Sequence, residues 1–495
     1  MMKENQTNNT IQAFWVAMGS LSSIGLAIIS AAILSRYFNK ADYGTYKQIV
    51  YVYSTLLVVF SAGLPRVFAY FLPRYSLEEG KNIVKKVNKV LFFAGFFFAV
   101  FLFVFSGVIA NILNNPGLSY GLKIFSPIPM FLLPTLGIEG IFSTYKKTIY
   151  IAIYNTLSRL LMLVFIVVPV IVFKGDYISA VYGWLAVSVL TFAMAYYFKE
   201  IPFKNVKSIE TSLKYKEIFG YSLPLVTASL WGIAIKSADQ FYISKFFGKE
   251  VFAEYSNGFI ELPFVSMVTA SASVVLMPLF SKILSDNSGM DNLLTVWRST
   301  LNKSSKIIFP LVVFFIAFAT EIVVLMYSEQ YSDSAIYFRI NMVLNFFNII
   351  IFAPLFFALG NTKLYSRVHM FLAIAVWVLG YLMIKIFNSP IAIAVNSTFL
   401  SIVKIMVFVY LSLKILHLKF SEFIPMRQIL MILLQATMTI VLIKLIQIYF
   451  LNNLLIIIQL AICAVLYMLI LLITAKFFRI DYYSIIRPLM KKILK

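Results

Sequence analysis

Ile33–Tyr46 reads ILSRYFNKADYGTY, and Tyr242–Tyr255 reads YISKFFGKEVFAEY, at a constant spacing of 209 positions. The residues that recur without change are Ser35, Phe38, Lys40 and Tyr46, which correspond to Ser244, Phe247, Lys249 and Tyr255. The match includes a polar turn as well as apolar sequence, which indicates an internal repeat rather than chance similarity between apolar helices. Both stretches end a helix that runs in the same direction, so the repeat predicts two similar halves arranged in parallel.

The amino-acid composition indicates that the two predicted halves lie in lipid rather than in water. Of 495 residues, 61% are hydrophobic and 13% are charged, and the mean hydropathy is +0.89. A soluble domain is nearer half apolar and a quarter charged. In lipid only helices and closed barrels satisfy the backbone, and apolar runs of about 20 to 25 residues suit helices. We therefore expect an all-α polytopic membrane protein.

Apolar runs bounded by charges, glycine, proline and asparagine predict about 14 transmembrane helices. Their approximate cores are 11–35, 43–66, 88–112, 121–144, 149–173, 177–198, 218–246, 251–280, 307–328, 334–358, 365–387, 390–413, 427–450 and 454–475. The repeat pairs the first helix with the seventh, which predicts two parallel six-helix bundles plus two C-terminal helices. Halves related by an axis along the membrane normal are a transporter design that places a site between the halves.

The predicted domains follow from this count. They are an N-terminal six-helix bundle at 1–198, a cytoplasmic linker at 199–217, a C-terminal six-helix bundle at 218–414, and transmembrane helices 13 and 14 with a basic cytoplasmic tail at 415–495. With the N-terminus inside, 28 of the 42 lysines and arginines fall on the inner side and 7 on the outer side. This asymmetry predicts that both termini are cytoplasmic. It also explains the net charge of +22 without a nucleic-acid partner.

Ionisable groups at membrane depth are costly and usually face a cavity or a partner. Lys123, Glu321 and Lys444 lie near span ends, where snorkelling to the interface explains them. Five groups lie near mid-span, where snorkelling is hardest: Arg159, Lys236, Lys404, Asp239 and Glu261. Because cations prevail, a shared cavity would be cationic and would suit an anionic substrate such as a phosphate. The predicted substrate-binding residues are Arg66, Arg159, Lys236, Arg339, Asn341, Asn345, Asn348 and Lys404.

Two polar patterns remain open to two interpretations. Lys236 and Asp239 are three residues apart on one helix, where they could neutralise each other or line the cavity. In the second case Asp239, like Glu261, would couple transport to a proton or sodium ion. Asn341, Asn345 and Asn348 form one stripe, which suits either hydrogen bonds between helices or contacts to sugar hydroxyls.

Several kinds of chemistry are not indicated. No GxxxxGK[ST] phosphate loop occurs, and no nucleophile motif or metal-ligand cluster is present, so neither a metal nor another cofactor is expected. Cys463 is the only cysteine and lies in an apolar run, which is typical of a buried free thiol. No outer loop exceeds about a dozen residues and no soluble domain is predicted, so any function is expected to be carried out within the bilayer.

The segments around the repeated turn also resemble a known family. AILSRYFNKADYGTYKQIVYVYSTLLVVFSAGLPR and YSLPLVTASLWGIAIKSADQFYISKFFGKEVFAEYSNGF resemble the corresponding helices of the bacterial polysaccharide and O-antigen flippases (Wzx-type). Asp239, the turns Gly44-Thr45-Tyr46 and Ala253-Glu254-Tyr255, and LGNTK at 359–363 match the family pattern. The resemblance extends over the whole chain through its fourteen spans, although its motifs are diffuse. Of the site residues, it carries over Asp239 alone.

The resemblance implies the multidrug/oligosaccharidyl-lipid/polysaccharide exporter superfamily. It implies a flippase of the bacterial cytoplasmic (inner) membrane that moves an undecaprenyl-pyrophosphate-linked oligosaccharide to the outer leaflet by alternating access. Lipid-linked oligosaccharide and membrane lipid are the expected partners, and other membrane proteins of polysaccharide assembly are further candidates. Two alternatives fit the sequence less well. A multidrug cation antiporter of the same superfamily would need an acidic cavity, whereas the predicted cavity is cationic. A membrane glycan polymerase or ligase would need a long outer loop, and the sequence predicts none. A peptidoglycan-precursor flippase of the same superfamily is a further alternative, which the sequence separates only weakly from a polysaccharide flippase.

Overall fold

The computed structural model describes residues 2–286 and 289–484, and throughout these ranges the regular structure is helical, with no strand. Within them, 12 helices are long and apolar enough to cross a membrane, or 13 when the bent segment Tyr215–Val226 plus Ser229–Gly258 is counted as one span. The prediction of an all-α polytopic membrane protein is confirmed, and the count is close to the expected fourteen.

The chain divides into two compact units, Met1–Ala253 and Glu254–Lys495. The helices that begin in the first unit are α1 (Met2–Tyr37), α2 (Lys40–Phe60), α3 (Pro65–Phe71), α4 (Leu77–Ile112), α5 (Gly117–Phe125), α6 (Ile128–Leu132), α7 (Ile138–Thr144), α8 (Ile149–Phe173), α9 (Tyr177–Glu200) and α10 (Tyr215–Gly258). The helices of the second unit are α11 (Pro263–Ser285), α12 (Met290–Ala317), α13 (Ala319–Tyr327), α14 (Ser334–Leu344), α15 (Phe352–Ala358), α16 (Thr362–Phe387), α17 (Pro390–Leu416), α18 (Phe420–Phe423), α19 (Met426–Ile446) and α20 (Ile456–Thr474).

The repeated turn breaks the helix at matching positions in its two copies. In the first copy, Asn39 separates α1 from α2 and caps α2 by accepting a hydrogen bond from the backbone N–H of Asp42 at 2.8 Å. In the second copy, Gly248 adopts φ +85° inside α10. Because a glycine has no Cβ, it takes up this left-handed conformation without a steric penalty. The similarity read in the sequence therefore marks a turn in both places.

A buried polar network ties α2 to α10 within the first unit. The Asn115 amide donates to Thr45 Oγ1 at 3.0 Å and to Gln48 Oε1 at 2.5 Å, and the Gln48 amide donates to Ser244 Oγ at 2.7 Å. All four side chains are buried. A fully paired polar network of this kind holds helices in one register, because any slip would leave buried polar atoms without partners.

Several predicted spans are less regular than the sequence suggested, among them spans 4, 8 and 10. Predicted span 8, 251–280, is interrupted at 259–262, after which Pro263 begins α11, where its missing N–H is not needed. Predicted span 4, 121–144, is divided into α5, α6 and α7, with a left-handed glycine at Gly137 (φ +86°). Predicted span 10, 334–358, consists of the short helices α14 and α15 with a break between them. In the predicted repeat, spans 4 and 10 occupy corresponding positions, and this correspondence stays a prediction.

The predicted linker is fastened to the N-terminal end of α4. Lys86 Nζ donates to the Leu213 carbonyl at 3.0 Å, and Lys81 Nζ donates to the Val206 carbonyl at 3.2 Å. The backbone N–H of Ile209 donates to the Glu78 carbonyl at 3.3 Å. These contacts hold the segment 204–214 against α4 within the first unit.

The last two helices are joined to the rest of the second unit by a polar cluster. Lys444 Nζ on α19 lies 2.6 Å from Glu321 Oε1 on α13, and Gln447 contacts both side chains. The sequence placed Glu321 and Lys444 at the interface by snorkelling, whereas the structure pairs them with each other. A π-helical turn at Gln447–Leu451 follows Lys444 and brings Gln447 to within 3.3 Å of Gln459 on α20.

We expect this pair to contribute measurably to stability. Both side chains are partly exposed, so a double-mutant cycle on Glu321→Gln and Lys444→Met should give a coupling energy of about 1 kcal/mol. The cycle is measured from thermal unfolding of the purified protein in detergent. Strictly additive effects of the two substitutions would show that the contact does not stabilise the unit.

Candidate functional site

The polar face of α1 and α8 begins with close packing of the two helices. A side chain at Gly19 would meet the Cα atom of Ala152 at 2.8 Å, so only glycine allows this approach. One turn further on, Ser22 Oγ and Thr156 Oγ1 are 2.6 Å apart. Small residues at such a crossing let two membrane helices approach and form hydrogen bonds. The packing brings the next polar residues of the two helices, Ser23 and Arg159, to the same level.

Arg159 lies ten residues after the start of α8 and fourteen before its end, or about 15 Å and 21 Å along the helix axis. Its Nε donates to Ser23 Oγ at 2.9 Å, and its Nη1 lies 3.7 Å from Met162 Sδ. The side chain is exposed and forms no ion pair in the described part of the chain. A guanidinium at this depth therefore keeps most of its N–H donors available to a ligand.

The surroundings of Arg159 supply further polar groups. Tyr46 and Tyr53 on α2 lie within the range of electrostatic interaction with its guanidinium. One turn before Arg159 on α8, Asn155 donates a hydrogen bond to the carboxylate of Glu139 on α7 at 3.2 Å. Hydroxyl groups, an amide, a carboxylate and a cation thus occur on α1, α2, α7 and α8. We name as the α1–α8 polar face the residues Ser22, Ser23, Tyr46, Tyr53, Glu139, Asn155, Thr156 and Arg159.

Arg66 is a second exposed cation of the first unit. It follows the interruption between α2 and α3, where Ala62 and Gly63 both have positive φ, and it occupies the second position of α3. Within the described residues its guanidinium has no hydrogen-bond or ion-pair partner. It lies eight residues before Arg74, about 12 Å if measured along a helix.

Lys199 is a structural residue that the sequence analysis assigned to the inner linker. It is buried at the end of α9, and its Nζ donates to the carbonyls of Pro134 and Leu136 at 2.7 Å and to Asn88 Oδ1 at 2.8 Å. These carbonyls belong to the break between α6 and α7, where helical partners are missing. Only two signs of this contact are present in the sequence. One is a lysine directly after predicted span 6, and the other is the presence of Pro134 and Gly137 within predicted span 4.

Lys236 and Asp239, predicted to share a face of one helix, differ in exposure. Both lie on α10 in the first unit, where Lys236 is exposed and Asp239 is 3% exposed. On the same helix, the carbonyl of Ser237 accepts a hydrogen bond from Tyr51 on α2 at 3.1 Å. The coupling role of Asp239 stays a prediction.

In the second unit, Arg339 on α14 is used to hold a helix junction. Its Nη2 donates to Thr320 Oγ1 at 2.9 Å and its Nε to the Ile316 carbonyl at 3.3 Å, across the break between α12 and α13. Lys404 is half-buried on α17. The structure leaves substrate contact by these two cations a prediction.

The asparagine stripe lies at and beside the break of span 10. Asn341 is buried and donates to the Ile260 carbonyl at 2.6 Å, while Asn348 donates to Asn345 Oδ1 at 3.1 Å. Glu261 follows Ile260 in the interruption between α10 and α11 and is exposed. Asn341 thus holds the backbone beside Glu261, in the interruption between α10 and α11. Contacts to a sugar by Asn345 and Asn348 stay a prediction.

Solved structures with the same fold are transporters. The inward closed conformation of the lipid II flippase MurJ aligns with a TM-score of 0.72 at 17% identity, covering 94% of this chain and 99% of that chain. An inward-facing multidrug resistance MATE family transporter of the MOP superfamily aligns with a TM-score of 0.64 at 12% identity, covering 79% of this chain and 94% of that one.

A third structure has a different functional description. It is a MOP superfamily transporter from Pyrococcus furiosus, for which reverse polarity of the binding pocket suggests a different function. Its TM-score is 0.54 at 14% identity, with 82% of this chain and 95% of that chain covered. At these identities the similarities establish the fold alone.

Sequence comparison adds the family. No curated protein matches the chain in sequence. The sequence model of the family described as polysaccharide biosynthesis protein matches residues 3–336, which is well over half of the chain. The protein is therefore a multi-pass membrane protein of the polysaccharide biosynthesis protein family, with the fold of the MOP superfamily transporters.

Proposed function

We propose that this protein is a flippase that moves an undecaprenyl-pyrophosphate-linked oligosaccharide, the repeat unit of a polysaccharide or O-antigen, across the bacterial cytoplasmic membrane by alternating access. The single observation that carries the proposal is the guanidinium of Arg159. It is exposed near the middle of a 25-residue apolar helix without a carboxylate partner in the described residues. A charge at this depth is costly and is usually retained for function.

The chemistry of the α1–α8 polar face suits a pyrophosphate linked to sugar. A guanidinium presents a planar set of donors that can bind phosphate oxygens bidentately. Ser22, Ser23 and Thr156 add hydroxyl groups that can donate to phosphate or sugar oxygens. The polyprenyl tail needs no protein pocket because it can stay in lipid while the head group crosses. No covalent bond is made or broken in this reaction.

The balance of charge argues for an anionic cargo over a cationic drug. The membrane-embedded cations of the first unit include Arg66 and Arg159, neither of which is paired in the described residues. The acid on α7, Glu139, accepts a hydrogen bond from Asn155, which lies one turn before Arg159 on α8. A multidrug cation antiporter would benefit from the opposite arrangement, in which an acid is left available. The contacts to the head group that the sequence predicts for Lys236, Arg339 and Lys404 stay predictions.

The remaining parts of the proposal concern coupling and location. Asp239 and Glu261 are the proposed groups for coupling to a proton or a sodium ion, because each is an acid placed within or beside a membrane helix. The excess of basic residues on one set of loops supports cytoplasmic termini. Membrane proteins that polymerise or export the same glycan are the proposed partners.

The proposal is tested by reconstituting the full chain in proteoliposomes that contain a fluorescent undecaprenyl-pyrophosphate oligosaccharide. Translocation is measured as the fraction of label that becomes accessible to a membrane-impermeant reductant or lectin, relative to protein-free vesicles. We expect protein-dependent translocation of this lipid and none of the same oligosaccharide on a neutral lipid. Translocation that is independent of the pyrophosphate would contradict the anionic site.

Two further transport measurements distinguish the proposed function from its alternatives. The fold similarity to the lipid II flippase makes a peptidoglycan-precursor lipid the specific second candidate. Faster translocation of a lipid that carries the peptide-bearing disaccharide would favour that reading over a polysaccharide repeat unit. Proton-coupled uptake of a cationic dye, without movement of either lipid, would replace the proposal by drug antiport.

A further inference from the structure

A cavity of about 220 Å³ lies between α4 and α9, in the first unit and apart from the α1–α8 polar face. Its polar lining consists of Lys85, Asn88 and Lys89 on α4 and Lys199 and Glu200 on α9. Pockets for drug-sized ligands are usually larger, about 300 to 1,000 Å³. The size therefore suits a polar head group rather than a complete sugar–lipid substrate.

The charges around this cavity are not balanced by the protein. Glu200 is engaged by Lys81 at 3.1 Å, and the ammonium of Lys199 is surrounded by three oxygen acceptors. Lys85 and Lys89 are exposed and have no hydrogen-bond or ion-pair partner among the residues that the structure describes. Two lysines four residues apart on a helix repel each other, and an anion held between them would relieve the repulsion.

The position along the helices corresponds to the edge of the bilayer. Lys89 is followed by 90–112, an uncharged stretch long enough to cross the hydrocarbon core of about 30 Å. On α9 the order is reversed, because 177–198 is uncharged and Lys199 and Glu200 follow it. Both helices therefore change from apolar to charged at the cavity, on the side that we predict to be cytoplasmic. Head-group phosphates lie at this level.

The remaining lining consists of Val84, Pro134 and three aromatic side chains, and the aromatic ones lie toward the apolar parts of the two helices. Phe92 and Phe192 contact each other with ring centroids 6.4 Å apart, and Tyr196 is 63% exposed beside them. Aromatic rings with a polar edge are favoured at the head-group level of membranes. The lysines lie toward the charged ends of α4 and α9, and the rings lie toward their apolar parts. This order of polar and apolar groups matches that of a phospholipid, in which an anionic phosphate is joined to glycerol and acyl chains.

We propose that this cavity binds the head group of an anionic phospholipid, with its phosphate between Lys85 and Lys89 and its glycerol and first methylenes against Phe92, Phe192 and Tyr196. Basic pockets between transmembrane helices at the cytoplasmic side bind anionic lipids in other membrane proteins. The lipid is a second ligand, distinct from the transported one, and its binding does not depend on what the protein translocates. By filling the gap between α4 and α9, it would stabilise the helices that Lys199 joins.

The test uses the purified full chain in a neutral detergent and compares phosphatidylglycerol, phosphatidylcholine and inorganic phosphate as probes. Binding is measured by native mass spectrometry and by the shift in thermal unfolding midpoint. The variant Lys85→Gln/Lys89→Gln is compared with Lys146→Gln/Lys147→Gln. This control pair is exposed in the same unit, has no side-chain partner among the described residues, and removes the same charge.

We expect phosphatidylglycerol to bind and stabilise the wild type more than phosphatidylcholine does, and its affinity to fall at least about tenfold in the Lys85/Lys89 variant but less than about twofold in the control. Binding should also weaken as salt is raised, which is measurable on the wild type alone if the variant folds poorly. Equal losses in both variants, or equal binding of the two lipids, would overturn the site. Stabilisation by inorganic phosphate equal to that by phosphatidylglycerol would overturn the assignment to a lipid.

Discussion

Replacing Arg159 with alanine is expected to lower the rate of head-group translocation about 100-fold. The guanidinium can form two charge-assisted hydrogen bonds to a pyrophosphate, each contributing about 1.5 to 3 kcal/mol in a site of low dielectric. Loss of about 3 kcal/mol of this stabilisation corresponds to about two orders of magnitude. The rate is measured in the proteoliposome assay at equal amounts of reconstituted protein.

Two comparisons separate this role from a structural one. Arg159→Lys keeps the charge but loses the planar donor set, so we expect an intermediate loss of about tenfold. Lys147→Ala removes one positive charge from an exposed position just before α8 and should leave the rate unchanged. Because Arg159 contributes only one strong hydrogen bond to the fold, through Ser23, its alanine variant should unfold within about 1.5 kcal/mol of the wild type. Wild-type translocation by the alanine variant would eliminate Arg159 as a substrate contact.

Replacing Lys199 with methionine is expected to destabilise the first unit on the order of 3 kcal/mol. The substitution leaves the carbonyls of Pro134 and Leu136 and the amide oxygen of Asn88 without their donor, and each buried unpaired acceptor costs about 1 to 3 kcal/mol. Part of this cost is offset because an ammonium group is no longer buried. The effect is measured as a lower thermal unfolding midpoint in detergent.

The matched control for this effect is Lys204→Met, four residues after the end of α9. Lys204 is exposed, and its side chain has no partner in the described ranges, so its replacement should change the free energy of unfolding by less than about 0.5 kcal/mol. Lys199→Arg should lie between the two, because it retains the donors but must fit a larger group into the break between α6 and α7. An unchanged midpoint for Lys199→Met would show that the break is stable without its cation.

The two residues illustrate different uses of charge in one membrane unit. Lys199 has three oxygen acceptors and is buried, so its amino group is surrounded by polar partners within the protein. Arg159 has one strong acceptor and is exposed, so its charge has no acidic partner in the described residues and most of its N–H donors are available. The number of acceptors around each cation, rather than the presence of the cation, distinguishes a helix staple from a candidate binding group.

Much of the fold could be predicted because lipid imposes a simple rule on the sequence. Apolar stretches long enough to cross the bilayer must be helical, since their backbone groups have no other partners. The repeated polar turn correctly marked the breaks at Asn39 and Gly248. The depth of Arg159 could also be read directly, because its distance from each end of α8 depends only on residue count.

Partners distant in sequence could not be predicted in this way. Glu321 and Lys444 each looked like interface residues, yet their contact depends on how α13 and α19 pack. The acceptors of Lys199 became visible only when the break after α6 was placed beside the end of α9. The asparagine stripe was read as one helical face, whereas span 10 is interrupted at Asn345 and the amide of Asn341 pairs with the backbone at Ile260.

The sequence by itself determined that this protein crosses the membrane many times as helices, where the repeated turn lies, and that cations occur at membrane depth. Those properties depend on the order of apolar and polar residues along the chain. The tertiary structure alone decided which cations are satisfied, where helices are interrupted, and that a basic cavity opens between α4 and α9. Such properties depend on contacts between distant segments, because a charge or a broken helix is tolerated in lipid only when another segment provides its missing partners.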